Sequence, residues 1–392
     1  MKNFENYFAG KVITDNFSEV YPRLNDFVVS EGDFIESRNG VVKEVLDFTT
    51  TITNPRKRCV GVAHRNMNVF FLIAEAIWIA AGKKDVEWLD IFNSNMKNYS
   101  DDGKVFHAPY GYRLRHWGTL AESADAVNET YEIDQLRQAI KILQNDPASR
   151  QVVMSIWNPD LDLGYKTKDL PCNDMVMLKV RDGKLITTIA NRSNDLHLGL
   201  PTNIFQFSFL TELIAACLNI DLGTQTHHSQ SLHVYTEMND IWKKVRYDSA
   251  KGDCKNVYDF KAYRRMDFNF YNSVPTNRWC EIDYYLQVII DNVTAFWKGR
   301  DMNFGEIKSL ENFSRFLFDC FELLLVYVVY KIELKGTDRS KNELLKNKIE
   351  FIRRLRLWDW DFGFMGMNFF AARMQGDIVL DEEYSCGILG YL

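Results

Sequence analysis

The residue pattern predicts an α/β (α+β) domain over about residues 1–240, followed by a mostly helical region over 241–392. Three observations predict it. Residues 175–180 and 185–190 alternate as two strands around Asp182-Gly183, a pair suited to a hairpin turn. Residues 205–218 are apolar nearly all round and read as a buried helix. Beyond about residue 240, charged and aromatic residues alternate at helical spacing, as in 284–297 and 310–331.

Taken in chain order, Asn66 or Asn68 caps a helix that runs to Ala81, and Gly82 ends it. The hairpin and the 205–218 helix follow. His233-Val234-Tyr235 reads as a strand with both polar side chains on one face. The strongest apolar run, 322–331, is too short for a bilayer and reads as a buried helix. Residues 341–356 form a basic amphipathic helix, and Trp358-Asp359-Trp360-Asp361 reads as packing rather than a site.

Composition narrows the class. Of 392 residues, 46% are apolar and 26% charged, as in soluble globular proteins. The net charge of −6 argues against a broad nucleic-acid surface, although small anionic substrates need only a few placed arginines. No direct nucleic-acid or membrane partner is expected. The seven cysteines include no CxxC pair, so spacing supports no metal site. Their odd number and scatter fit a reducing, cytoplasmic setting better than a disulfide framework. Residues 1–12 carry charge without an apolar run, and no signal peptide is expected there.

Four segments hold residues suited to chemistry. Glu75 lies in a helix with little polar face, where its carboxyl is either paired, open to a cavity or held protonated. A raised pKa suits proton transfer; the alternative is a buried ion pair with an arginine. Cys172 stands at the loop-to-strand junction Leu170-Pro171-Cys172-Asn173. Arg192, at the end of the return strand, is placed to approach it and to stabilise a thiolate; the alternative is an inert buried cysteine. Arg192 and Ser193 suit a phosphate, through a planar fork and a hydroxyl. Asp195 and Asn203 suit the edge of a base, Asn203 offering the donor and acceptor that uracil N3–H and O4 require. Gly199 and Pro201 shape the loop between them; the alternative is an ordinary polar turn. His233 and Tyr235 suit a sugar hydroxyl, or else are a satisfied core histidine and a structural tyrosine.

In their order and separation these segments resemble thymidylate synthases and the related pyrimidine nucleotide hydroxymethylases. The likeness runs from about Glu36 to Tyr235. It includes Ser37-Arg38-Asn39-Gly40, Ala74-Glu75-Ala76-Ile77-Trp78, Pro109-Tyr110-Gly111-Tyr112, Ser149-Arg150-Gln151-Val152-Val153 and Ser155-Ile156-Trp157-Asn158. It continues through Leu170-Pro171-Cys172, Arg192-Ser193-Asn194-Asp195, Leu198-Gly199-Leu200-Pro201-Thr202-Asn203 and His233-Val234-Tyr235. The resemblance implies a large mixed sheet whose face forms a homodimer interface. It implies Cys172 as nucleophile at pyrimidine C6, with Glu75 and Tyr110 in the proton-transfer network. Arg38, Arg192 and Ser193 would hold the 5′-phosphate, with Arg150 reaching across from the second subunit. Asn203 would read the base, and His233 and Tyr235 the 3′-hydroxyl. Asp195 and Gly199 would serve the co-substrate, 5,10-methylenetetrahydrofolate.

Departures from the family pattern bear on the product. Gln151 stands where a second arginine is usual, Asn173 where synthases follow the nucleophile with histidine, and Tyr99 and a residue near Met96 where they carry tryptophans. Both branches add Cys172 to C6 and take a methylene from the folate at C5. A synthase then transfers hydride, whereas a hydroxymethylase adds water. The expected reaction is dUMP to 5-hydroxymethyl-dUMP, dUMP being favoured over dCMP because cytosine-using relatives are expected to carry aspartate at the Asn203 position. The alternatives are a thymidylate synthase and a non-catalytic nucleotide-binding protein of the same fold. A phage that modifies its DNA would be a natural source, which would put the enzyme in host cytoplasm.

Overall fold

The structure, a computed structural model, describes residues 10–38, 40–62, 65, 67–118, 132–238, 258, 261–336, 340–357 and 359–373. Its centre is a mixed sheet of eight strands. These are β1 (Lys11–Thr14), β2 (Asp33–Ser37), β3 (Gly40–Ile52), β4 (Val153–Ser155), β5 (Asn173–Arg181), β6 (Lys184–Asn191), β7 (Asn194–Asp195) and β8 (Asp221–Tyr235). The order across the sheet is β1-β3-β8-β6-β5-β4, with β2 paired to β3 and β7 to β8.

The predicted hairpin is β5–β6. Asp182 and Gly183 take φ of 51° and 68°, the two positive values that a tight turn matched to strand twist requires. β8 then enters between β6, to which it is parallel, and β3, to which it is antiparallel. That insertion carries His233 and Tyr235 into a neighbourhood that sequence distance does not suggest.

Helices cover one face. The first is α1 (Phe17–Glu31), and α2 (Val69–Ala80) follows, capped by Asn68, whose side chain accepts from Phe71 N at 3.2 Å. Asn66 lies outside the described residues. Gly82 ends α2 at φ 65°, as expected. Short helices α3 (Glu87–Phe92), α4 (Tyr110–Arg115), α5 (Gln135–Asn145) and α6 (Pro159–Asp162) lead to the long α7 (Gly199–Leu218). It begins at Gly199 rather than 205 because Leu200, Pro201 and Ile204 are buried as well. Pro201 is tolerated because the first turn needs no intrahelical N–H.

The later helices are α8 (Pro275–Trp297), α9 (Phe304–Phe313), α10 (Arg315–Gly336), α11 (Lys341–Arg354) and α12 (Asp361–Ala371). The helix expected over 310–331 is two helices. Ser314 is extended, at φ −153° and ψ 114°, and its hydroxyl accepts from Leu317 N at 3.1 Å. The Asp267 carboxylate accepts from Arg315 N at 3.2 Å and Phe316 N at 2.9 Å. Two capping side chains outweigh the continuous apolar spacing. Trp358 lies outside the described residues, while Trp360 and Asp361 are buried, Trp360 stacking on Phe362 at 4.4 Å.

These helices close over α2 and α7. Phe70 of α2 is fully buried, its ring 5.1 Å from Tyr327, 5.5 Å from Phe369 and 5.2 Å from Phe370. Phe205 of α7 lies 5.0 Å from Phe362. Glu212 of α7 accepts from both Arg58 and Arg56, the latter at 2.6 Å, and from Met266 N at 3.2 Å. One continuous core therefore includes α1, the inner sheet face and α12. Among the described residues no helix is long and apolar enough to cross a membrane.

Phe70→Ala removes the ring at the centre of this junction and should cost about 3–5 kcal/mol of unfolding free energy in denaturant titration. Ending the chain before α8 uncovers α2 and α7 and should give insoluble or inactive protein; a soluble, fully active truncation would contradict that packing role.

Candidate active site

The β5–β6 register places the site's central pair. Asn173 of β5 lies opposite Asn191 of β6, so the residues just outside, Cys172 and Arg192, also face each other. Arg192 N donates to Cys172 O at 3.1 Å, Nε to Pro171 O at 2.8 Å and Nη2 to Leu170 O at 3.3 Å. Nη2 also stands 3.9 Å from Cys172 Sγ, and the guanidinium lies 5.8 Å from the Trp157 ring centre. The arginine thus grips the loop that carries the thiol and presents a positive charge to it.

That charge does not decide the thiol's resting state. Burial pushes the Cys172 pKa up; Arg192 opposes the shift, while Asp169, Asp174 and Asp195 add to it. The expected thiolate stabilisation by Arg192 is present, but desolvation outweighs it in the free protein. A bound anionic ligand would add to the electrostatic opposition, so forming a thiolate at Cys172 requires a base or a rearrangement on binding.

Tyr110 begins α4, and its hydroxyl accepts from Cys172 N at 3.4 Å. Burial raises its pKa, so it stays a neutral hydroxyl. Glu75, on α2, has Gln206 of α7 as its hydrogen-bond partner rather than the arginine of the alternative reading. Burial drives its pKa up to about 8, and the Gln206 bond opposes this only partly. Such a carboxyl exchanges its proton near neutral pH. Asp169, which accepts from Ala108 N at 2.8 Å, and Asp174 are also raised by burial, each to about 6.

Asn203 sits in the first turns of α7, buried above the sheet. Its Oδ1 accepts from Asn173 Nδ2 at 3.2 Å, and its Nδ2 donates to Asn194 Oδ1 at 3.3 Å. Gly199 explains how α7 comes so close: a Cβ there would stand 3.1 Å from Asn194 Oδ1 and 3.5 Å from Asp195 Cβ. Asp195 pairs with His233 in the β7–β8 register, and its Oδ1 accepts from His197 N at 2.7 Å. Burial raises Asp195 and lowers His233, whose Nδ1 lies 3.3 Å from Ser231 Oγ. Tyr235 packs edge-on against His233, ring centres 5.5 Å apart.

Arg38, in the β2–β3 turn, is exposed and donates from Nη1 to Thr167 O at 2.8 Å, in the segment leading to Cys172. Ser193 lies half-buried beside Arg192. Arg150 stands exposed on the loop between α5 and β4; among the described residues it makes no hydrogen bond or ion pair with the Cys172 group. The fold therefore gathers Cys172, Arg192, Tyr110, Glu75, Asn203, Asp195, His233 and Tyr235 around one end of the sheet and α7, leaving Arg150 apart.

Sequence reading missed Gln206, although its signal was present: a polar residue one turn after Asn203 within an apolar helix. It also missed Arg65, which donates to His197 O and influences Asp195 electrostatically. Neither Asn191 nor Asn194 has an assigned role in the sequence reading, although Asn194 falls within the Arg192-Ser193-Asn194-Asp195 segment. Among the described residues no cluster of three or more histidine, cysteine, aspartate or glutamate side chains is arranged to hold a metal.

The thymidylate synthase family profile matches residues 19–275, which includes every residue of this constellation. The chain belongs to the thymidylate synthase family. Among its relatives is the deoxyuridylate hydroxymethyltransferase of Bacillus phage SP01, 40% identical over 237 residues, 60% of this chain and 60% of that protein. The protein of the same name from Pseudomonas phage M6 is 35% identical over 58% of this chain and 62% of its own length. A putative thymidylate synthase of Methanothermobacter marburgensis is 29% identical over 63% of this chain and 99% of its own. The chain thus spans about 60% of the length of the two phage relatives.

The Glu75 shift has a measurable consequence. Its carboxyl is near 4.5 when unfolded and about 8 when folded, so the folded state binds the proton more tightly. The resulting stability is full below about pH 4.5 and is lost as pH rises toward 8. Glu75→Gln keeps a neutral amide there at all pH values. Chemical denaturation from pH 4.5 to 9 should show the variant gaining on the parent by up to about 1.4 kcal/mol per pH unit. Parallel stability curves would mean that Glu75 is not held protonated.

Proposed function

We propose that this protein is a deoxyuridylate hydroxymethyltransferase, converting dUMP, 5,10-methylenetetrahydrofolate and water to 5-hydroxymethyl-dUMP and tetrahydrofolate. The observation that carries the reading is the likeness to the phage deoxyuridylate hydroxymethyltransferases, and Glu75, a carboxyl with a pKa of about 8 facing an amide rather than an arginine, supplies the proton-transfer group it needs. Support also comes from Asn173 beside the nucleophile. Met96, packed against the core, and Tyr99, half exposed, stand in the segment where synthases carry two tryptophans.

In this reading Arg192, Ser193 and Arg38 bind the 5′-phosphate, while His233 and Tyr235 hold the 3′-hydroxyl. The ionised Cys172 Sγ adds to C6, and the electron pair moves toward C5 and O4, where an Asn203 N–H meets the growing charge. Methylenetetrahydrofolate supplies, when bound, a carbon at the oxidation level of formaldehyde. Asp195 and the buried Arg65 Nε, which has no hydrogen-bond partner among the described residues, suit a ligand with both acceptors and donors, as a pterin has. Once the carbon is joined to C5, loss of the C5 proton and cleavage of the carbon's bond to the folate nitrogen leave an exocyclic methylene on the nucleotide, and Glu75 in its ionised form takes a proton from the water that adds there. Departure of Cys172 restores the C5–C6 double bond and frees the thiol.

The proposal includes a homodimer in which Arg150 reaches the partner's phosphate site. Exposed Ile13, Leu46 and Val153 on the sheet strands support it, since bare apolar sheet surface favours burial. It also assigns the helices after about residue 240 to covering the catalytic unit, with no chemistry of their own, and places the enzyme in the cytoplasm. Thymidylate synthesis is the second reading, favoured by the Methanothermobacter marburgensis relative, which the chain covers almost completely.

Cys172→Ser should abolish tritium release from C5 of labelled dUMP while retaining nucleotide binding, because a serine hydroxyl is a far poorer nucleophile at neutral pH. Retained exchange would move the reaction centre elsewhere. Incubation with dUMP and methylenetetrahydrofolate should give hydroxymethyl nucleotide and tetrahydrofolate by mass spectrometry. Thymidylate with matching dihydrofolate would establish the second reading, and nucleotide binding without C5 exchange would mark a non-catalytic protein.

A further inference from the structure

The sheet register sets Asn173 of β5, Asn191 of β6 and Ser229 of β8 in one row across three neighbouring strands. Asn194 of β7 and Asn203 of α7 close over that row. All five side chains belong to buried residues, and Asn173 is fully enclosed. They form one directed hydrogen-bond chain. Asn191 Nδ2 donates to Asn173 Oδ1; Asn173 Nδ2 donates to Asn203 Oδ1 at 3.2 Å; Asn203 Nδ2 donates to Asn194 Oδ1 at 3.3 Å; and Asn194 Nδ2 donates to Ser229 Oγ at 3.0 Å.

A carboxamide has two donors and a two-site acceptor. The chain uses one donor and one acceptor site of Asn203, leaving one N–H and one lone pair for a ligand. Turning Asn203 alone would set two N–H groups against each other at Asn173 and two carbonyl oxygens against each other at Asn194. Buried mismatches of that kind are costly, so the amides hold one direction or reverse together.

We propose that this buried relay is a specificity device: Asn173, Asn191, Asn194 and Ser229 are positioning residues that fix which way the Asn203 amide faces the pyrimidine. The inference rests on the proposed nucleotide reaction and deepens it. In the observed direction Asn203 offers its free lone pair and free N–H to a uracil N3–H and O4. Cytosine presents the opposite pattern, an acceptor at N3 and a donor at C4, and is served only if the whole relay reverses. Discrimination between the two bases therefore resides partly in side chains that never touch the base.

The same chemical change on the two sides of Asn203 tests this, because it should act in opposite senses. Asn173→Asp leaves an acceptor where Asn203 needs a donor, so the Asn203 and Asn194 amides turn and Ser229 donates to Asn194. The ratio of kcat/KM for dCMP to that for dUMP, read by C5 tritium release, should rise by at least about tenfold. Asn194→Asp still accepts from Asn203 Nδ2, holds the observed direction and should keep or strengthen the preference for dUMP. Dissociation constants for dUMP and dCMP, measured without folate, should follow the same pattern. Asn173→Leu, which removes the constraint without charge, should bring the two nucleotides closer to equality and stands in if the aspartate variant does not fold. Shifts of the same sign in both aspartate variants, or an unchanged ratio in Asn173→Asp and Asn173→Leu, would overturn the relay. Failure of the parent protein to bind or exchange dUMP would instead overturn the underlying functional proposal.

Discussion

The antiparallel pairing of Asn173 with Asn191 is the constraint on which the site depends. One residue outward it confronts Cys172 with Arg192; at the pair itself it starts the buried chain of amides. A slip of one residue would send each of these side chains to the other face of the sheet. The hairpin turn at Asp182 and Gly183 and the bonds from Arg192 to the Pro171 and Leu170 carbonyls hold the register from opposite ends.

Around that fixed pair the protein sets desolvation against local charge. Burial raises Cys172, Glu75, Asp169 and Asp195 together; arginines offset only part of it at Cys172, Asp169 and Asp195, and at Glu75 the opposing group is the Gln206 amide. Glu75 thereby keeps near neutral pH a proton that an exposed glutamate would have lost. This suits a reaction that moves protons at several stages, with Glu75, near 8, the group best matched to neutral pH.

The later helices contribute to this environment indirectly. They pack rings onto Phe70 and Phe205, and α2 and α7 are the helices that carry Glu75, Asn203 and Gln206. The buried Arg58–Glu212 pair ties α7 to the segment between β3 and α2, and the Met266 N–H bond to Glu212 ties it to the segment ahead of α8. Held between sheet and outer helices, α7 has little freedom to shift its polar residues. That rigidity is what a directed chain of amide hydrogen bonds requires.

The sequence by itself determined the local elements and the inventory of reactive groups. Alternation, the turn pair and the Asn68 cap specify the hairpin and α2 because each acts over a few residues. Cys172, Arg192 and Asn203 stand out in the sequence as candidates because their types and order carry chemistry as well as family likeness. The break at Ser314 does not, since it depends on Asp267, 47 residues earlier, supplying acceptors to a new helix start. Nor do the Gln206 partner of Glu75 and the alignment of Asn173, Asn191, Asn194 and Ser229. Those relations arise when β8 inserts beside β6 and α7 crosses above them. Long-range register and burial decide them, and neither periodicity nor spacing within one segment encodes which polar group will meet which in the core.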